Sequence, residues 1–320
     1  MSRVIRRRLG FGAICFLVAL GVLGVRSSPY YTVGPGPVVR IGGQAHGSWA
    51  VTTVRVRDGN WFQWAVARVR GERSVRRTGG EGDGGPSPAM ARSMRVSQTR
   101  AALVASQLAA GRAPIGGGGL QVTRILGDAE AAGRTGLRPG DIVLGLDGRR
   151  GPVPLRTETD LEAAAAEDTD LRVLVAPRAR GGTMGRVRVQ RIPAGRLADV
   201  RADPAAVDAV TYSLGAVQGP SAGLMLTLAR LDALTPGELT GGRHVAGTGG
   251  IGLDGAVTRV GEVTGKVRAA IAAHMDVFLV PAVQSAEAAR AAQGSAIRIV
   301  PVRTASDAAA WLTATGATRN

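Results

Sequence analysis

Two residues of this chain invite a chemical reading before any fold is considered: Ser221, within Gln218-Gly-Pro-Ser-Ala-Gly-Leu224, and Lys266. The chain carries 40 Lys+Arg, and one alone of these is lysine. Guanidinium stays protonated and cannot take a proton from a nucleophile, whereas an ammonium in a dry site can lose its own. A sequence that writes arginine everywhere else and lysine once points to chemistry that arginine cannot do. A strongly Arg-biased chain can also keep one lysine on a solvated face, so the serine stretch has to carry part of the argument.

The elements around Ser221 suit a nucleophile. Ala209-Val-Thr-Tyr-Ser-Leu-Gly-Ala-Val217 has strand-like composition, and Leu224–Leu234 is a dense apolar run with helical character. Gly-Pro-Ser therefore falls where a strand or loop gives way to a helix. Proline has no N–H to leave unsatisfied in a first turn. A serine there sits among unpaired backbone N–H groups at the positive end of the helix dipole, where an oxyanion could also be held. A plain serine N-cap has the same local signature.

Further blocks follow downstream: Leu239-Thr-Gly-Gly242, Gly247-Thr-Gly-Gly-Ile251, Asp254-Gly255, Gly261-Glu-Val-Thr-Gly-Lys266 and Val277-Phe-Leu-Val-Pro281. With Gly219-Pro-Ser-Ala-Gly223 they resemble, in order and spacing, the proteolytic domain of Lon-type Ser–Lys peptidases over roughly residues 196–317. The resemblance implies Ser221 as nucleophile, Lys266 as general base and Thr248 as a residue positioning the lysine, with Gly219 and Ala222 supporting the serine. The whole chain looks most like a membrane-anchored, PDZ-containing (YlbL-like) branch of that family. Two positions depart from the pattern: Gln218 stands where the family usually has Asp, and Glu262 where it usually has a second glycine. Glu262 and Lys266, four apart, would face each other if both were helical, and a carboxylate there would favour the ammonium; otherwise Glu262 would lie in the turn and point to solvent.

At 320 residues and 45% apolar composition, the chain is long enough for two domains with packed, aliphatic cores, since aromatics are 3%. The one cysteine, Cys15, excludes an intramolecular disulfide. The net charge of +16 favours anionic partners. No zinc spacing, RNP-like block or helix-turn-helix pattern accompanies it, so no nucleic acid, metal or cofactor is expected. Arg3, Arg6, Arg7 and Arg8 precede an apolar run, Leu9–Val25. That pattern reads as a single-pass membrane anchor with the N-terminus cytoplasmic and the later domains extracytoplasmic. A cleaved signal peptide is the rival reading, and Val25-Arg-Ser-Ser28 is a poor cleavage site.

Residues 48–71 alternate apolar and polar on both sides of Asp58-Gly-Asn60 and read as two strands joined by a hairpin turn. Gly79–Pro88 has linker composition, and 91–111 reads as a helix. Next, Ile115-Gly-Gly-Gly-Gly-Leu-Gln-Val122 leads from a glycine turn into a strand. The tract Gly136-Leu-Arg-Pro-Gly-Asp141 through Asp147-Gly148 resembles the middle of PDZ domains. In that resemblance Thr157–Ala166 is the groove helix and Leu171–Val175 and Val187–Arg191 are closing strands. Peptide would add to the sheet edge, its carboxylate held by N–H groups near Gly118, Gly119 and Leu120. The module could equally only space or brace the protease.

Gly261–Lys266 is no phosphate loop: three residues separate the glycines where four are needed, and valine follows the lysine. An ATP-independent enzyme is expected, acting on flexible or PDZ-recruited protein segments. Two alternatives stay open. One is a catalytically weak PDZ scaffold or peptide-binding protein; the other is a Ser–His–Asp hydrolase using His244 with Asp254. The expected fold class is α+β with an N-terminal transmembrane anchor, a PDZ module and a Lon-type domain. The expected organisation is a basic tail over 1–8, the anchor over 9–25, a strand-rich membrane-proximal segment over 26–78 and a flexible linker over 79–90. A helix over 91–112, the PDZ module over 113–193 and the proteolytic domain over 196–317 complete it. A homo-oligomeric ring follows from the resemblance as an analogy only.

Overall fold

The computed structural model describes residues 21, 24, 26–42, 47–76, 88–117, 119–126, 133, 135–148, 151–166, 170–178, 184–204 and 219–316. In chain order the first elements are β1 (Ser27–Gly42), β2 (Ser48–Asn60), α1 (Trp61–Val69), β3 (Arg73–Arg76) and α2 (Pro88–Ala109). A second group holds β4 (Leu120–Ile125), β5 (Ile142–Gly148), β6 (Gly151–Pro154), α3 (Glu158–Ala165), β7 (Leu171–Ala176), β8 (Arg188–Ile192), α4 (Ala194–Leu197) and β9 (Val200–Pro204). After a 3-10 turn at Pro220–Ala222 come α5 (Gly223–Leu234), β10 (His244–Gly247), β11 (Gly250–Ile251), β12 (Val257–Thr258) and α6 (Val263–Ala272). The last elements are β13 (Val277–Pro281), α7 (Ser285–Ala291), β14 (Arg298–Val302) and α8 (Ala305–Gly316).

The principal sheet runs β14-β13-β10-β2-β1-β3. Strands β14, β13, β10 and β2 are parallel, and β1 and β3 extend the sheet antiparallel. Its strands alternate with period two between two cores. Trp49, Val51, Val245, Val277 and Leu279 face one core with Leu224, Met225 and Leu228 of α5 and Met94, Ala101 and Val104 of α2. Ala50, Ala246, Phe278 and Val280 face the other with Val263, Val267 and Ala270 of α6. Parallel strands buried on both faces need helical crossovers, which α6 and α7 provide.

The residues expected to form a membrane-proximal segment apart, 26–78, thus supply three strands of the sheet that carries the expected proteolytic domain. The join is direct, β2 pairing with β10 from His244↔Ser48 to Gly247↔Val51. Buried Trp49 donates its indole N–H to buried Asp232 of α5 at 2.9 Å. Within that segment one expectation is corrected. Residues 62–69 are helix α1, not the second strand of a hairpin. Asn60 caps the helix, accepting from the Gln63 N–H while its own N–H donates to Gln63 Oε1, and the antiparallel partner of β2 is β1 instead.

The second sheet runs β8-β7-β5-β4-β9, with β6 beside β5. It surrounds its own core of Leu120, Val122, Val143, Leu161, Val173, Ile192 and Val200. Helix α2 joins the two bodies, since its Ala102 and Leu103 pack with Ile142, Leu144 and Leu174 of this sheet.

The expected single-pass anchor, and the cell-membrane placement drawn from it, are not supported. Among the described residues no helix is long and apolar enough to cross a membrane. The longest, α2, is interrupted by Arg92, Arg95 and Arg100, which hydrocarbon would not accept. Of Leu9–Val25 itself only Gly21 and Gly24 are described. The fold class is corrected accordingly to a mixed α+β fold. The strand expected over 209–217 and most of the linker over 79–90 also lie outside the described residues.

Candidate active site

Helices α5 and α6 lie on opposite faces of the principal sheet, so side chains from both can meet only past the end of a strand between them. They do so beyond the carboxyl end of β10, where Thr248 follows Gly247. The Thr248 N–H donates to the Leu279 carbonyl of β13 at 3.0 Å, which fixes the threonine at the strand tip. Its hydroxyl donates to the Ser221 carbonyl at 3.1 Å. Lys266 Nζ, reaching from α6, donates to Thr248 Oγ1, also at 3.1 Å. Thr248 is fully buried and Lys266 is 4% exposed.

The nucleophile turn is held from two directions. On one side the Gly249 N–H donates to the Ser221 carbonyl at 2.9 Å and the Leu224 N–H to the Gly249 carbonyl at 3.0 Å. On the other, buried Ser97 of α2 donates its hydroxyl to the Pro220 carbonyl at 3.1 Å. Gly219 enters the turn with φ 90, a left-handed value that glycine adopts without strain. Ala222 is buried behind the serine, and Ser221 itself is half-buried. A Cβ on Gly223 would lie 2.8 Å from Ile251 Cγ2 and 2.9 Å from Ser97 Oγ, so this position needs glycine for close packing.

Burial lowers the Lys266 pKa from 10.5 to about 8, against a smaller opposing pull from Glu262. The Glu262 carboxylate neither pairs with Lys266 Nζ nor points free into solvent. It occupies the N-cap of α6 with φ 59 and ψ 40, and its carboxylate pairs with Arg73 of β3 at 2.7 Å. Gln284 braces the preceding turn, accepting from the Val260 N–H and donating to the Val260 carbonyl, both at 2.9 Å. A Cβ on Gly265 would lie 3.7 Å from the Gly34–Pro35 backbone of β1, so the N-terminal strands back the helix that carries the lysine.

Residues 210–306 match the Lon protease (S16) C-terminal proteolytic domain. The match supports a serine peptidase, and it takes in Ser221, Thr248 and Lys266. No curated protein matches the chain.

The structure brings Lys266 and Thr248 into contact and ties Thr248 to the Ser221 backbone. Among the hydrogen bonds of the described residues none joins Ser221 Oγ to Lys266 Nζ. The rival triad is not assembled. His244 Nδ1 pairs with Ser48 Oγ at 3.0 Å, and Asp254 accepts from the Ala256 N–H at 3.0 Å. Ser97 and Arg73 escaped the sequence reading. Each acts on the site from far along the chain, and neither stands in a pattern that separates it from the many other serines and arginines.

The residues expected to hold a peptide carboxylate lie at the start of β4. Gly118 lies outside the described residues. Gly119 has φ 71 and packs tightly against Ile142 and Val143. Leu120 is fully buried and opens β4, which pairs with β5 through Val143 and with β9 through Pro204. A strand bonded on both sides offers no edge to a peptide. Among the described residues the outer strand on that side is β9, which follows the expected module boundary at 193.

Proposed function

We propose that this chain is a serine endopeptidase that works through Ser221 and Lys266 without ATP. The observation that carries the reading is the buried lysine, its proton affinity lowered, bonded to a threonine that is itself bonded to the nucleophile's backbone. A lysine kept dry has a neutral fraction at working pH that an exposed lysine lacks. Neutral Lys266 takes the Ser221 hydroxyl proton as Oγ attacks a peptide carbonyl. The tetrahedral intermediate collapses when the resulting ammonium returns a proton to the leaving amine, leaving an acyl-enzyme. Water, deprotonated in turn by Lys266, then releases the acid. For the first step Nζ moves from Thr248 toward Oγ. Such contacts commonly tighten only when substrate is bound.

The test uses the full chain, an unstructured protein substrate and no nucleotide. Wild type cleaves; Ser221→Ala and Lys266→Arg do not; His244→Ala cleaves as wild type does. Cleavage that survives Lys266→Arg removes the serine–lysine reading. No cleavage by wild type favours the scaffold alternative.

We propose further that the second sheet is a PDZ-like module that recruits substrate tails, with β9 and not β4 as the receiving strand. The support is its outer place in the sheet and its position beside α3. In peptide addition the main chain of the edge strand supplies the hydrogen bonds. Replacing Ala202 with proline removes one N–H from that strand. Ala202→Pro is expected to slow cleavage of tail-bearing substrates while leaving short unstructured peptides unaffected; equal slowing of both overturns the recruitment role.

A further inference from the structure

We infer that Arg73 is a positioning residue for the Lys266 base, acting through Glu262: its guanidinium takes up the carboxylate at the head of α6, so that this negative charge is not left to the Lys266 ammonium alone. The inference rests on the base role proposed for Lys266, but its central contact does not. Glu262 stands one turn before Lys266, whose N–H donates to the Glu262 carbonyl at 3.1 Å. It holds a left-handed conformation that is costly for a residue other than glycine. Arg73 meets the carboxylate at 2.7 Å, the arginine side chain 67% exposed and the glutamate 21%. An ion pair so placed adds little to folding. Its consequence is electrostatic, on a buried neighbour.

The architecture brings Arg73 there. Strand β3 pairs with β1 over Tyr30–Val33, and β1 continues into the Gly34–Pro35 backbone against Gly265. Other charges near α6 are otherwise engaged: Glu287 of α7 accepts from Thr264, Arg268 donates to the Arg70 carbonyl, and His244 pairs with Ser48. Elements packed on α6 also carry Arg40 on β1, Arg55, Arg57 and Asp58 on β2, and Arg290 on α7. Glu262 is the charge that pulls the Lys266 pKa upward.

Because the chain has a single lysine, side-chain 13Cε-lysine NMR of the full chain reports Lys266 directly. Arg73→Gln is expected to raise its titration midpoint by about half a unit, roughly threefold in neutral fraction at pH 7. Glu262→Gln is expected to lower the midpoint, and the double variant to match Glu262→Gln, since the arginine acts through the glutamate. The rising limb of the pH–rate profile should move with the midpoint; a merely structural role would lower the rate at every pH without moving it. An unchanged midpoint in Arg73→Gln, or a double variant that simply adds the two single shifts, overturns the proposal. If the midpoints move as stated while Lys266→Arg still cleaves, the serine–lysine reading falls and the Arg73–Glu262–Lys266 coupling stands. If Lys266→Arg is inactive and the midpoints stay fixed, the reverse holds.

Discussion

Lys266 Nζ lies 3.1 Å from Thr248 Oγ1, so the chain's one lysine is bonded to the tip of the strand that separates the two helices of the site. The threonine hydroxyl is acceptor to the lysine and donor to the Ser221 carbonyl. Thr248→Val keeps the shape and removes both bonds. Its kcat is expected to fall by about 10- to 100-fold, with stability reduced by about 1 kcal/mol. Thr248→Ser, which restores a hydroxyl, should recover most of the rate. Steady-state kinetics with a fluorogenic peptide checks both variants, and a wild-type rate in Thr248→Val would remove its role in holding the base.

The buried lysine makes stability depend on pH in a defined direction. Its folded pKa of about 8 lies below the 10.5 of the free side chain. Between these values the unfolded chain holds the proton and the folded chain has lost it, so stability rises with pH across that window. Below the folded pKa the dry ammonium costs about 3 kcal/mol. Lys266→Met should therefore be inactive yet more stable than wild type at pH 7, with the gap closing toward pH 10.5. Urea unfolding at the two pH values tests this. The rising limb of the wild-type acylation profile should fall near pH 8.

Gly223 has no room for a methyl group between Ile251 and Ser97. Gly223→Ala forces the nucleophile turn away from α2 and strains the Leu224–Gly249 bond. A loss of about 2 kcal/mol is expected, together with most of the activity. Ser97→Ala, which removes only the bond to Pro220, should cost less in both. Thermal melting and activity measured side by side rank the two variants.

The N-terminal strands are part of the sheet that bears the site. Trp49→Phe leaves the buried Asp232 oxygen without its indole partner and should cost about 2 kcal/mol. Residues 196–320 alone lack β2 and β1 beside β10 and should fail to form a protease-resistant core. Limited proteolysis of that fragment decides the point; a resistant core would show that the match over 210–306 marks an autonomous domain.

Much of the site was legible in one dimension. The glycine-flanked serine before an apolar helix and the lone lysine in an arginine-rich chain are local signals, and the chemistry of those residue types restricts what they can do. The helix over Gly223–Leu234 and the long helix ending at Ala109 follow from apolar spacing, which local geometry sets. Residues 62–69 were misread because eight residues with apolar and polar alternation satisfy a strand pattern, while the Asn60–Gln63 cap that makes them helical depends on side-chain geometry.

The sequence by itself determined which side chains could react; the tertiary structure decided what surrounds them. Strand periodicity says which residues face a core but not which strand lies alongside, so nothing in Ser48–Val51 announced that it pairs with His244–Gly247. The same limit hid β9, which pairs with β4 from Leu120 to Ile125. Arg73 and Glu262 are 189 residues apart, and charge alone does not choose a partner at that distance along the chain. Burial settles the last point. The proton affinity of Lys266 is lowered because the folded chain excludes water from it, and desolvation is a property of the folded whole.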